Sequence, residues 1–198
     1  MRAVAIIVVL AVVAAVVLIL LPFMRGGISV RRAPSAVERF VARRLRHLAI
    51  PAGARDEKNP LPASPQVIAE GREHFADHCA LCHANDGSGD SEIGHGLYPK
   101  VPDMRKDDTQ SLSDGELFYI IANGIRFTGM PAWGDGDHDA EDNWELVHFI
   151  RHLPKITHQE LEEMERLNPK SAGEAAEDKE EREFLGGEGS APAAGHDH

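Results

Sequence analysis

The chain has 198 residues, a formal net charge of −11 and an aromatic content of only 6%. That length accommodates one ordinary domain plus attachments, since domains run to roughly 100–200 residues. The acidic balance argues against following a nucleic-acid backbone, and the presence of only two cysteines, Cys79 and Cys82, excludes a disulfide-rich scaffold.

Charge divides the chain into blocks with different tasks. Residues 1–65 hold 10 basic and 3 acidic groups, residues 66–158 hold 7 and 17, and residues 159–198 hold 4 and 12. The first block opens with Ala3 to Leu21, 19 consecutive residues drawn only from Ala, Val, Ile and Leu. At about 1.5 Å per helical residue the run measures roughly 28 Å, close to the hydrocarbon thickness of a bilayer. It leaves through Leu20-Leu21-Pro22-Phe23, with none of the small residues that mark a cleavage site. Residues 1–24 therefore read as an uncleaved signal anchor, a single transmembrane helix.

Residues 25–65 form a basic amphipathic segment and a Pro-rich linker. Within residues 35–50, Val37, Phe40, Val41, Leu45 and Leu48 recur at helical spacing, with Arg39, Arg43 and Arg46 off that stripe. Such a helix either lies on anionic headgroups beside the anchor or packs its stripe on the domain that follows. Pro51, Gly53, Pro60, Pro62 and Pro65 then predict a stiff linker that carries the next domain away from the membrane.

Cys79-Ala80-Leu81-Cys82-His83 is the motif that carries chemistry. Two thiols three positions apart with an adjacent imidazole suit covalent attachment of a c-type haem. A redox dithiol or half of a zinc site would use the same residues. Zinc needs further ligands, and no other cysteine exists. A thioredoxin-like site needs a surrounding βαβ pattern, which is absent.

Ser64 and Pro65 supply the cap and first turn of a helix that carries Gly71 and Phe75 before the motif. Downstream come Gly94-His95-Gly96-Leu97-Tyr98-Pro99-Lys100-Val101-Pro102-Asp103-Met104, a Ser113/Glu116 capping box, and Gly124 as a helix end. Gly129-Met130-Pro131-Ala132-Trp133 follows, then a helix near Asp142 to Leu153 that stops at Pro154. Together these resemble the class I monohaem cytochromes c of the membrane-anchored bacterial type, over about residues 65–154. The resemblance implies an all-α fold wrapped around one covalent haem c, preceded by the single transmembrane helix. It implies thioether bonds at Cys79 and Cys82 and axial iron ligands at His83 and Met130. By position, the Pro102 carbonyl would accept a hydrogen bond from His83, and Tyr98, Arg126 and Trp133 would stand near the haem propionates. Gly71 and Phe75 would allow the first helix to pack closely on the last.

Of the other methionines, Met1 and Met24 flank the anchor, Met104 reads as packing near the haem, and Met164 lies beyond the haem domain. The pairs His74/His78 and His148/His152 read as solvated helix faces, and His95 offers a minor bis-histidine alternative. The acidic run Asp135 to Asp142 lacks the glycine and twelfth-position glutamate of a calcium loop. A Thr157/Glu160 capping box predicts a short helix to about Leu167. Residues 159–198 otherwise read as an acidic, largely disordered tail ending in a weak metal-catching His196-Asp197-His198.

The function implied is a membrane-bound carrier of single electrons between a redox protein donor and acceptor. Two other readings are a haem sensor or catalyst with a labile sixth ligand, and an electron-transfer subunit of a dehydrogenase or oxidase complex. Counting Arg25, Arg31, Arg32, Arg39, Arg43, Arg44 and Arg46 would place the segment after the span in the cytoplasm. Haem attachment demands the periplasmic or extracytoplasmic side of the cytoplasmic membrane, and that chemistry governs the expected topology.

Overall fold

A computed structural model describes residues 2–26, 29–134 and 140–169. All regular structure among them is helical. Helix α1 (Arg2–Gly26) runs for 25 residues, and its described side chains from Val4 to Leu18 are exposed. Among the described residues no helix is long and apolar enough to cross a membrane; the side chains described there without a break are residues 4–18. The single transmembrane helix thus remains an inference from its composition.

Helix α2 (Ala36–Ala49) begins at Ser35, whose hydroxyl accepts from the Glu38 amide at 3.2 Å while Glu38 accepts from the Ser35 amide at 2.6 Å. Reciprocal capping satisfies two donors that a helix start leaves without partners. Helix α2 turns its polar side to the domain. Arg43 pairs with Asp108 at 3.2 Å, Arg46 donates to the Asp108 carbonyl, and the Tyr98 hydroxyl donates to Glu38 at 3.0 Å.

The segment at 51–65 does not hold the domain at a distance. Ala52–Asp56 forms helix α3 against α8 (Asp114–Asn123), with the Ser113 hydroxyl donating to the Arg55 carbonyl at 2.8 Å. Asn59 donates to the Trp144 carbonyl at 2.9 Å, and Leu61 packs on the core. Prolines limit the chain's conformations equally well in a strap or a spacer, and long-range contacts decide which it becomes.

Helix α4 (Pro65–His74), capped by Ser64, continues through one π-helical turn (Phe75–Cys79) into α5 (Ala80–His83). Short helices α6 (Glu92–Gly96) and α7 (Asp107–Gln110) lead to α8, whose Ser113/Glu116 capping box and Gly124 end are as the sequence predicts. Helix α9 (Ala140–His152) crosses α4, and a 3₁₀ turn (Leu153–Lys155) leads to α10 (His158–Leu167). The crossing is centred on Gly71, where an added Cβ would lie 2.3 Å from the Glu145 carbonyl oxygen. Phe75, Val147, Phe149, Leu153 and Met164 are fully buried in the core.

Helix α10, beyond the expected boundary at residue 158, packs on the core. Met164 is buried in the core, and Arg72 on α4 pairs with Glu160 at 3.5 Å and Glu163 at 2.7 Å. The buried Met164 and these ion pairs dock a helix whose exposed surface is largely acidic. His148 and His152 are half-buried and engaged: one bonds the Leu61 carbonyl at 3.0 Å and the other Glu160 at 2.9 Å. Most of the acidic loop, residues 135–139, and the tail from residue 170 with His196 and His198 lie outside the described residues.

Glu145 gives this core a pH dependence. Its side chain is buried on α9 near Glu70, Asp142, Glu141 and His74. Burial first, then the Glu70 charge, raises its pKa to about 7 from an ordinary 4.5. The folded state therefore holds this proton more tightly than the unfolded chain. The associated stability is complete below pH 4.5 and is lost as pH rises to about 7. Denaturant titrations of Glu145→Gln should show a flatter profile over that window and a gain on the order of 1–3 kcal/mol at pH 8.

Candidate functional site

Helix α4, the π turn and α5 place the two cysteines and His83 at the end of one continuous helical path. Neither cysteine is in a disulfide, and both are half-buried. Burial, then the neighbouring Cys82, pushes the Cys79 thiol up to about 12. A redox dithiol works through a lowered thiol pKa, so this environment disfavours that use. The zinc alternative finds no support either. Among the described residues, the ligand-bearing side chains that converge are His74, Asp142 and Glu145, a group that includes neither cysteine. His74, expected on a solvated face, instead stands 3.6 Å from Asp142.

His83 is 8% exposed, and its ring lies 6.3 Å from that of Phe75, centroid to centroid. Burial lowers its pKa to about 4, so the imidazole is neutral at physiological pH. Its Nδ1 is buried without a hydrogen-bond partner, and the expected bond to the Pro102 carbonyl is not made; Pro102 itself is exposed. An orphaned buried polar atom costs about 1–3 kcal/mol. A neutral buried imidazole beside two unpaired thiols is a donor set that fits a covalently attached haem, with imidazole nitrogen for the iron and sulfur for the periphery.

The loop after the motif is clasped to the 94–104 loop. Gly89 N–H donates to the His83 carbonyl at 2.8 Å, and Met104 N–H to the Gly87 carbonyl at 2.8 Å. Arg105 bridges Asp86 at 2.7 Å and Asp103 at 2.8 Å, and its hydrogen bond holds the Asp103 carboxyl well below the usual range. The Ser91 hydroxyl, which caps α6, lies 2.9 Å from both the Leu81 and Cys82 carbonyls. Composition singled out neither Ser91 nor Arg105; a serine before an acidic helix start was the one available signal for the first.

Met130 is half-buried on a loop closed by a Thr128 hydroxyl that accepts from the Met130 amide at 3.1 Å. Ile125 N–H donates to the Met130 carbonyl at 3.2 Å, while Trp133 and Gly134 amides donate to Ile121 and Ala122 of α8. Gly124 makes the closure feasible: φ is +63°, and a Cβ there would lie 2.6 Å from Pro131 carbonyl carbon. Trp133 is partly buried and meets the His78 ring edge-on at 5.0 Å, joining the Met130 loop to the helix that bears Cys79. The backbone thus gathers the Met130 loop and the cysteine motif into one region. It distributes the other expected residues differently. Tyr98 spends its hydroxyl on Glu38, Arg126 is exposed, and His95 is exposed beside Asp90 at 2.6 Å. Met104 is buried, as packing requires.

Residues 66–150 match the family model described as cytochrome C oxidase, cbb3-type, subunit III. Over 73 residues the chain is 33% identical to the cbb3-type cytochrome c oxidase subunit FixP of Sinorhizobium medicae (strain WSM419). That stretch is 36% of this chain and 23% of the relative, so the likeness spans under a quarter of the relative's length.

Proposed function

From residues 66–150 being a class I monohaem cytochrome c domain with covalently bound haem c, we propose that the chain carries single electrons through an iron held by His83 and Met130. Its role is that of a membrane-anchored carrier that serves, or belongs to, a membrane oxidoreductase complex. The observation that carries the reading is the buried, neutral, unpartnered His83 beside two unpaired cysteines. The bound group would supply the one-electron couple of its iron. Cys79 and Cys82 would supply the thioether sulfurs, fixing the group in the chain. His83 would give a nitrogen ligand and Met130 a soft thioether, which favours the reduced metal and raises the potential relative to two nitrogen ligands. Were His83 and Met130 both to hold the iron, no site on it would remain for a reactant. The loops around Arg105 and Gly124 hold those side chains in place.

The oxidoreductase setting is supported by the matched family and relative, both described as oxidase subunits. Membrane attachment is supported by α1, whose apolar side chains from Val4 to Leu18 are exposed all round, as in a helix surrounded by lipid. Haem attachment then sets the domain on the extracytoplasmic side.

Met130→Ala tests the ligand assignment. The parent protein should show a sulfur-to-iron charge-transfer band when oxidised and no ferrous carbon monoxide complex. The variant should lose that band, bind carbon monoxide and shift to a lower potential. Ready carbon monoxide binding by the parent would overturn the assignment and favour a sensor or catalyst.

A further inference from the structure

Helix α2 inverts the usual arrangement of an amphipathic helix on a folded domain. Such helices bury the apolar stripe and expose the polar one. Here Glu38, Arg43, Arg46 and His47 face the domain and engage Tyr98, Asp108 and Glu116. Val37, Phe40, Val41, Leu45 and Leu48 point away from it, at 71, 60, 46, 60 and 76% exposure. Five large apolar side chains on one face of a 14-residue helix are the mark of a surface with a further occupant.

Charge and chain length identify that occupant. Arg31, Arg32, Arg39 and Arg44 are exposed around the stripe, and the one acidic residue of α2, Glu38, is engaged by Ser35 and Tyr98. Arg44 lies over the Phe40 ring at 5.3 Å, so its stem runs along the apolar face. A long cationic side chain on an apolar stripe keeps its charge at a polar boundary while its methylenes stay in hydrocarbon. Residues 27–35, which separate α1 from α2, reach at most about 30 Å. If α1 spans the bilayer, α2 begins close to its surface.

We propose that α2 lies in the headgroup layer of an anionic bilayer, with its apolar stripe toward the acyl chains and its arginines on phosphate. The inference rests on reading α1 as a membrane span and goes beyond it. The polar contacts of α2 would then hold the haem domain in one orientation against the membrane instead of letting it swing on a tether.

The test uses the full haem-loaded chain with Phe40→Trp, a change at an exposed position, in vesicles of phosphatidylcholine with phosphatidylglycerol. Emission is compared with the parent, which has Trp133 and Trp144. The added emission should be blue-shifted, shielded from iodide, largely lost with acyl-brominated lipid, and more exposed when phosphatidylglycerol is omitted. Continued iodide quenching in vesicles, with the chain resisting carbonate extraction, would overturn the inference while sparing the anchor. Shielding already present in detergent and lost on dilution would assign the face to a second copy and overturn it too. Release of the chain by carbonate would sink the reading of α1, leaving the brominated-lipid response to decide α2 alone.

Discussion

Chain with Cys79 and Cys82 both replaced by serine is expected to retain no haem after acid–acetone extraction, against complete retention in the parent. Each thiol is the sole cysteine within its reach except the other, so no substitute exists in the chain. The single variants should keep one thioether and an altered reduced spectrum. Loss of the covalent group would also leave the surrounding side chains without a packing partner. Among the described residues few large side chains are fully buried, and a domain near 100 residues gains a modest margin from burial. Circular dichroism of the double variant should therefore show reduced helicity or a lowered melting temperature in addition to the lost colour. Retention of haem through extraction by the double variant would refute the covalent assignment.

The second large effect is expected from a single methyl group. Gly71→Ala places a Cβ 2.3 Å from the Glu145 carbonyl oxygen and 2.5 Å from its carbon, both backbone atoms of α9. Alanine would improve helix propensity by about 1 kcal/mol in an exposed helix. Here that gain loses to a clash that no side-chain rotation can relieve, so α4 and α9 must move apart around Phe75 and Phe149, whose rings are 5.1 Å apart. A net loss of about 3 kcal/mol is expected. For a domain of this size it appears as a drop of more than 10 °C in melting temperature, at about 4–8 °C per kcal/mol. A variant at least as stable as the parent would refute a close backbone crossing of α4 and α9 at Gly71.

Both effects arise where local and distant information meet, and this explains what was legible in the chain. The capping boxes at Ser113/Glu116 and Thr157/Glu160 were readable because both partners of each bond lie within one helical turn. Cys79, Cys82 and His83 were readable for the same reason, and Gly71 through the family resemblance. The strap at 51–65 was not: its bonds run from Asn59 to Trp144 and from His148 to Leu61, more than 80 residues away, and nothing local announces them. Helix α10 was expected as a helix outside the domain, because its acidic surface gave no local sign that Met164 is buried. The exposed stripe of α2 shows the converse. Its periodicity was plain, but only the positions of Tyr98, Asp108 and Glu116 reveal which side turns inward.

The π turn at Phe75–Cys79 has a geometric meaning for the whole motif. Counted along an unbroken α-helix, His83 would sit roughly 120° around the axis from Gly71, at about 100° per residue. A π turn absorbs one additional residue, which winds His83 back to within roughly 20° of Gly71, the inward bearing on which its burial depends. Angular phase, and not merely spacing, thus delivers the imidazole to the interior. Deleting one residue among Ala76 to His78 would let this turn close into regular α-helix with His83 on the same bearing, whereas rewinding the turn as α-helix at full length would aim the motif about a third of a turn away.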